Sequence, residues 1–166
     1  MGDNSTTMAT RGARLRPMRP DEFPAMVAAS KAGYAHDITV HGGMAAEVAR
    51  QKAESDFATI LPDGLATPGH AMFVIEANEQ PVGRLWIAER TAYGARSLFI
   101  YEIEIDGEHR GQGLGRAAML LAEDEARARG LSRIELNVFG GNEVARGLYR
   151  SLGYGESAVQ MAKELG

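Results

Sequence analysis

Six consecutive residues carry the densest chemical information in this sequence: Arg110-Gly111-Gln112-Gly113-Leu114-Gly115. A strand-like segment, Ser97 to Ile105, precedes them, and an amphipathic helical pattern, Leu114 to Arg129, follows. Glycines packed this densely at a helix start let the backbone approach a ligand and leave amide N–H groups without intrahelical acceptors. With the positive end of the helix dipole, those donors make an anion site suited to phosphate. Arg110 and Arg116 would add charge-assisted hydrogen bonds. The plainer alternative is a tight turn that only stops a strand. Spacing excludes two familiar phosphate loops. A Walker loop needs Lys and then Ser or Thr after its last glycine, where this chain has Arg116-Ala117, and a dinucleotide fingerprint needs a glycine at position 116. What fits is Arg-x-x-Gly-x-Gly, at Arg110, Gly113 and Gly115.

Just ahead of this loop, Glu102, Glu104, Asp106 and Glu108 alternate with Ile103 and Ile105. Undisturbed alternation places Glu102 and Glu104 on one strand face, where they could attract an ammonium group and deprotonate it through water. A solvated strand face is the competing reading. His36, His41 and His70 are too scattered for a metal site and read as satisfied loop histidines, so no metal is expected. Trp86, between Leu85 and Ile87, is expected in the core.

The elements that must hold these residues follow from periodicity. Ala13 to Met18, Ala71 to Ala77, Pro81 to Glu89, Ser97 to Ile105 and Arg133 to Phe139 predict strands, with turns at Asn78-Glu79-Gln80 and around Tyr93-Gly94-Ala95. Ser157 to Lys163 predicts a last strand. Pro20-Asp21-Glu22 predicts a helix start with acids in its first turn, running to about Tyr34. A second helix is expected over Glu47 to about Ile60, stopped by Leu61-Pro62-Asp63-Gly64. Gly130 should end the helix that begins at Leu114, and Asn142 should cap a short helix that Gly153 ends. The expected fold class is α/β: a mixed, mainly antiparallel central sheet flanked by helices, with a βαβ unit in the C-terminal half. Residues 1–12 read as a disordered tail and 13–166 as a single domain.

Composition narrows the chemistry. The chain has 166 residues, 45% of them apolar, and no cysteine. That length supports a core without staples, and the missing thiol excludes disulfides, thiolate metal sites and a cysteine nucleophile. Eighteen basic against 22 acidic residues leave a net charge of −4, which argues against nucleic-acid or anionic-membrane partners. Arg11, Arg14, Arg16 and Arg19 are taken as a solvated basic face. Apolar runs are too short to span a bilayer and the first residues lack a signal-peptide pattern, so a cytoplasmic protein is expected.

From Leu98 to Tyr154 the sequence resembles the Gcn5-related N-acetyltransferases. The resemblance rests on the Arg110/Gly113/Gly115 loop and on Asn142, Ala145, Leu148, Tyr149, Leu152, Gly153 and Tyr154, which complete the family's pattern Asn-x-x-Ala-x-x-Leu-Tyr-x-x-Leu-Gly-Tyr. The stretch Leu61 to His70 and the strand Phe99 to Ile103 look like an uncharacterised bacterial branch of that family. The resemblance implies acetyl-coenzyme A as acyl donor, its pyrophosphate on the backbone amides of Arg110, Gly111, Gln112, Gly113, Leu114 and Gly115, with Arg116 beside them. It implies coenzyme contacts from Ile103, Glu104 and Ile105 on a bulged strand, and from Asn142 and Ala145 at the last helix; Asn137 is expected to face the same cleft. Tyr149 would protonate the departing thiolate. Glu102 is the first choice for the base, with Glu104 beside it. The implied activity is direct acetyl transfer to a primary amine through a ternary complex, with a small amine or a peptide N-terminus as acceptor. Tyr34 and His36 would wall the acceptor site, and members of this fold often pair into homodimers. A non-catalytic acyl-coenzyme A binding domain is the alternative, and it would have no need of Tyr149.

Overall fold

A computed structural model describes residues 12–92, 94–163 and 165. Five strands, Ala13–Pro17 (β1), His70–Ala77 (β2), Gln80–Ala92 (β3), Ala95–Ile105 (β4) and Ile134–Leu136 (β5), form one sheet in chain order. The first three junctions are antiparallel and β4 runs parallel to β5. Four helices accompany them among the described residues: Phe23–Gly42 (α1), Ala46–Ile60 (α2), Leu114–Ala128 (α3) and Glu143–Ser151 (α4). The order β4-α3-β5 is the expected βαβ unit. None of these helices is long and apolar enough to cross a membrane.

Strand alternation divides the apolar residues between two cores, one on each face of the sheet. Ile75, Leu85, Ile87, Leu98 and Ile100 pack against Ala118, Met119 and Ala122 of α3. On the other face Trp86 and Met72 meet Met26 of α1 and Phe57 and Leu61 at the end of α2. The β2–β3 hairpin turns on Asn78 and Glu79, both with positive φ (50° and 64°), as a tight two-residue hairpin turn requires. Leu131 closes α3 by donating its N–H to the Ala126 carbonyl at 2.9 Å.

Several boundaries differ from the sequence expectation. Helix α1 begins at Phe23, so Asp21 and Glu22 precede it rather than occupying its first turn. It also runs eight residues past Tyr34, because nothing between Ala35 and His41 breaks a helix and the stop comes only at Gly43, which is left-handed at φ 68°. His36 and His41 are therefore helical, not loop, residues. Strand β5 pairs only over Ile134–Leu136. Ser157 to Lys163 forms no strand; it lies exposed and finds no neighbour to pair with. The entry arginines are not merely solvated: Arg14 and Arg16 both bind the buried Glu76, and Arg16 also binds Glu22. Residues 1–11 of the expected tail and Tyr93 of the hairpin turn lie outside the described residues.

Candidate active site

The site begins with one extra residue in β4. Trp86 pairs with Glu102 while its neighbour Ile87 pairs with Ile100, so Tyr101 bulges out of the ladder. Before the bulge, Leu98 turns its N–H toward the β5 side, onto the Arg133 carbonyl at 2.9 Å. After it, Asp106 turns its N–H toward β3, onto Val82 at 2.9 Å. Counting back by alternation from Asp106 turns the N–H groups of Ile103 and Ile105 away from β3. The Ile105 carbonyl faces the same way, since it accepts from Arg110 Nε at 2.9 Å. Pairing with β5 ends at Ile100–Leu136, so beyond Tyr101 the two parallel strands part and, among the described residues, this edge of β4 has no strand beside it. The bulge precedes both acids, which keeps Glu102 and Glu104 on one face while Ile103 and Ile105 pack toward α3.

The glycine loop stands at the end of that edge. A single 3₁₀ turn, Gly107–His109, leads into Gly111 and Gly113, both left-handed at φ 73° and 80°. That conformation suits glycine and strains any residue with a β-carbon. Helix α3 makes its first backbone bond from Ala117 to Gly113 at 3.1 Å, and no side chain caps it. The N–H groups of Leu114, Gly115 and Arg116 precede that bond and have no intrahelical acceptor. The arginines contribute differently from the expectation. Arg110 folds back onto Glu104 and the Ile105 carbonyl, and Arg116 reaches Ser151 Oγ at 3.0 Å, tying α3 to α4. Gln112 donates to the Glu108 carbonyl at 3.3 Å. Arg110 is thus matched by a carboxylate, while Arg116, bonded to a neutral hydroxyl, keeps its positive charge beside the backbone amides and the helix end.

Tyr149 of α4 is half-buried beside Leu148, with its ring 6.0 Å from that of Tyr154. Burial first, and then the negative charge of Glu104, hold its phenol above the usual tyrosine range, so it is neutral and protonated at physiological pH. Glu102 is tightly held: Arg84 donates through Nε and Nη2 to Oε1 (2.9 and 2.7 Å), and Ser30 of α1 donates to Oε2. The side chains of Arg84 and Glu102 are each 18% exposed, against 37% for Glu104, which pairs with Arg110 through Oε1 alone. Asn142 caps α4 as expected, accepting from Ala145 N–H at 3.2 Å through its side-chain oxygen. Asn137 is exposed one residue past β5.

Tyr34 and His70 belong to the aromatic cluster that Tyr101 also joins, and His36 lies apart from the open edge. Tyr34 donates to Asp56 of α2 at 3.0 Å, and His36 lines a groove of about 480 Å³ between α1 and α2 that includes no residue of β4, the loop or α4. His70 accepts from Trp86 Nε1 at 2.9 Å, and burial lowers its pKa, as befits a neutral packed imidazole. Among the described residues no group of three or more His, Asp or Glu could hold a metal ion. Sequence reasoning missed Arg84, Ser30 and Gly83. The available signal was Gly83-Arg84 inside an otherwise apolar strand, a place where glycine marks a close backbone approach.

Residues 43–154 match the acetyltransferase (GNAT) family. The chain belongs to that family. Its relatives include the uncharacterized N-acetyltransferase YycN of Bacillus subtilis, 32% identical over 152 residues, which cover 91% of this chain and 97% of YycN. The crystal structure of YycN superposes with a TM-score of 0.87, covering 92% of this chain and 98% of that one. A second B. subtilis N-acetyltransferase, YdgE, is 28% identical over 152 residues, again 91% of this chain and 97% of the relative. At 14% identity and a TM-score of 0.59, the structure of AAC(6')-Iy with a coenzyme A bisubstrate analogue shares the fold over 93% of this chain and 98% of that one. This GNAT chain is an acetyltransferase, built on the five-stranded sheet and four helices described above.

Proposed function

We propose that this GNAT protein transfers the acetyl group of acetyl-coenzyme A directly to a primary amine, on a small molecule or a peptide N-terminus, through a ternary complex. The observation that carries the reading is the open edge of β4 beyond Tyr101, which runs into the uncapped start of α3 with a protonated Tyr149 close by.

These residues fit the coenzyme. The amides from Gly111 to Gly115 and the helix dipole suit its pyrophosphate. The N–H groups of Ile103 and Ile105, with the Asn142 amide and Asn137, suit the pantetheine arm and the acetyl carbonyl. Acetyl-coenzyme A, when bound, supplies the acetyl group as a thioester. Tyr149 holds a proton for the departing sulfur. Glu104, whose Oε2 carries no hydrogen bond among the described residues, takes the amine proton through water. Glu102, with both oxygens engaged by Arg84 and Ser30, is not free to meet a water, and its part is to keep negative potential beside the acceptor. With no cysteine in the chain, no acyl-cysteine stage intervenes.

The test is thiol release from acetyl-coenzyme A with butylamine, 1,4-diaminobutane and an alanine dipeptide amide, alongside the thermal shift given by the coenzyme. Amine-dependent release should fall by roughly 10²–10⁴ in Tyr149→Phe with the thermal shift retained. A thermal shift without amine-dependent release would instead identify a non-catalytic acyl-coenzyme A binding domain, and no shift at all would refute both.

A further inference from the structure

Beyond Tyr101 the sheet itself does not set how far β4 stands from the segment that follows β5. The two strands pair only from Leu98–Ile134 to Ile100–Leu136, and α4, which comes next, has no fully buried residue. Helix α1 spans the two sides. Near its middle the buried Ser30 donates to Glu102 of β4. Eleven residues on, about 16 Å along the axis, His41 stacks on Phe139, beyond the end of β5, with ring centroids 5.9 Å apart and planes 24° from parallel. Both contacts come from one helix face, because eleven residues at about 100° each return within roughly 20° of the start.

The far contact falls on the turn that presents Asn142. Phe139 opens this turn, its carbonyl accepting from the Asn142 N–H at 2.9 Å, and Asn142 then caps α4. His41 meets the turn at a second point as well. A β-carbon on Gly141 would stand 2.8 Å from His41 Nδ1, and the three atoms nearest to it all belong to the His41 ring. Gly141 is not left-handed, so what a side chain here would disturb is the packing against His41 rather than the backbone.

We propose that His41 is a positioning residue for the coenzyme. Through it α1 braces the Phe139–Asn142 turn against β4, so that Asn142 faces the Ile103 and Ile105 N–H groups across a gap of set width. This rests on the acetyl-coenzyme A reading above, and it gives a part in donor affinity to a helix that itself supplies no group to the coenzyme. The sequence does not show it, because His41 falls beyond the expected end of the first helix.

The experiment is titration calorimetry of the full chain with coenzyme A. In His41→Ala the turn is released from the binding geometry, and the Kd should rise about 2- to 10-fold, the factor that one aromatic pair supports. His41→Phe, which keeps a ring on Phe139, should return close to the wild-type Kd, and Val40→Ala, at the exposed neighbour on the same helix, should leave it unchanged. Gly141→Ala should weaken binding in the wild-type background by displacing the His41 ring. Added to His41→Ala, it should weaken binding no further, because the obstructing ring is gone. An unchanged Kd in His41→Ala overturns the proposal, as does a melting temperature that falls with no change in Kd. Effects of His41→Ala and Gly141→Ala that simply add overturn it too. If wild type binds no coenzyme A, the coenzyme reading itself falls and the proposal falls with it; if wild type binds and His41→Ala binds equally well, only the proposal falls.

Discussion

Gly83 is the point at which strand packing and the site meet, and replacing it with alanine tests both together. A β-carbon at Gly83 would stand 3.1 Å from the carbonyl carbon of Glu104 and from Cα of Ile105, and closer than 3.0 Å to the Glu104 carbonyl oxygen. Carbon–oxygen contacts across a sheet normally settle at about 3.3–3.6 Å, so β3 and β4 would have to part by more than about 1 Å. Overpacking of this kind costs about 1–3 kcal/mol. The Asp106–Val82 backbone bond is next to the wedge, and weakening it adds about 1 kcal/mol. A total near 3 kcal/mol corresponds to a fall in Tm of about 6–12 °C for a domain of this size. The displaced segment carries the Ile103 and Ile105 N–H groups and Glu104, so the acetyl-coenzyme A KM should rise as well. Gly33, exposed within α1 with nothing within 4 Å of an added β-carbon, is the control. Gly33→Ala should stabilise by about 0.5–1 kcal/mol through helix propensity. Urea unfolding and calorimetry read both variants. If Gly83→Ala loses less than about 1 kcal/mol, or shifts in the same direction as Gly33→Ala, the close approach does not hold the end of β4 in place.

Two further outcomes follow from the charges. Glu104→Gln removes a negative charge that disfavours the Tyr149 phenolate, so the Tyr149 titration, isolated as the difference from Tyr149→Phe in ultraviolet absorbance, should move to lower pH while burial keeps it above the usual tyrosine range; no movement, or a rise, contradicts the assigned cause. The Arg16 guanidinium hydrogen-bonded to Glu22 lowers the Glu22 carboxyl to about 2, from 4.5. A depressed carboxylate contributes stability that is complete above the unfolded value and lost as pH falls through the folded one, so Glu22→Gln should flatten the decline in stability between about pH 4.5 and pH 2. An equally steep decline in the variant would remove Glu22 from the acid response.

Much of the framework was legible because it depends on neighbours along the chain. The dense glycines of Arg110 to Gly115 mark a tight turn at a helix start, and the structure has that turn, left-handed at Gly111 and Gly113, with α3 uncapped behind it. Asn142 was readable as a cap because capping is settled within three residues, and its oxygen does accept from Ala145. The expected strand over Ser157 to Lys163 failed for the opposite reason: a strand exists only where another backbone lies beside it, and the short β5 offers none there. The end of α1 was misplaced although Ile38, four residues after Tyr34, continues the buried stripe; the stop lies beyond it, at the left-handed Gly43.

The sequence by itself determined the glycine loop proposed to hold a pyrophosphate, the capped last helix with Tyr149 on it, and a strand rich in acids, since φ preference, capping and alternation are local properties. Only the tertiary structure decided what those acids can do. The bulge at Tyr101 sets which amides face the open edge of β4, and the register with β3 places Arg84 and Ser30 around Glu102. The reach of α1 to Phe139 is likewise a tertiary contact, made by His41 with a residue beyond β5. Each of these depends on groups far apart in the chain, where pairing is settled by packing and long-range register.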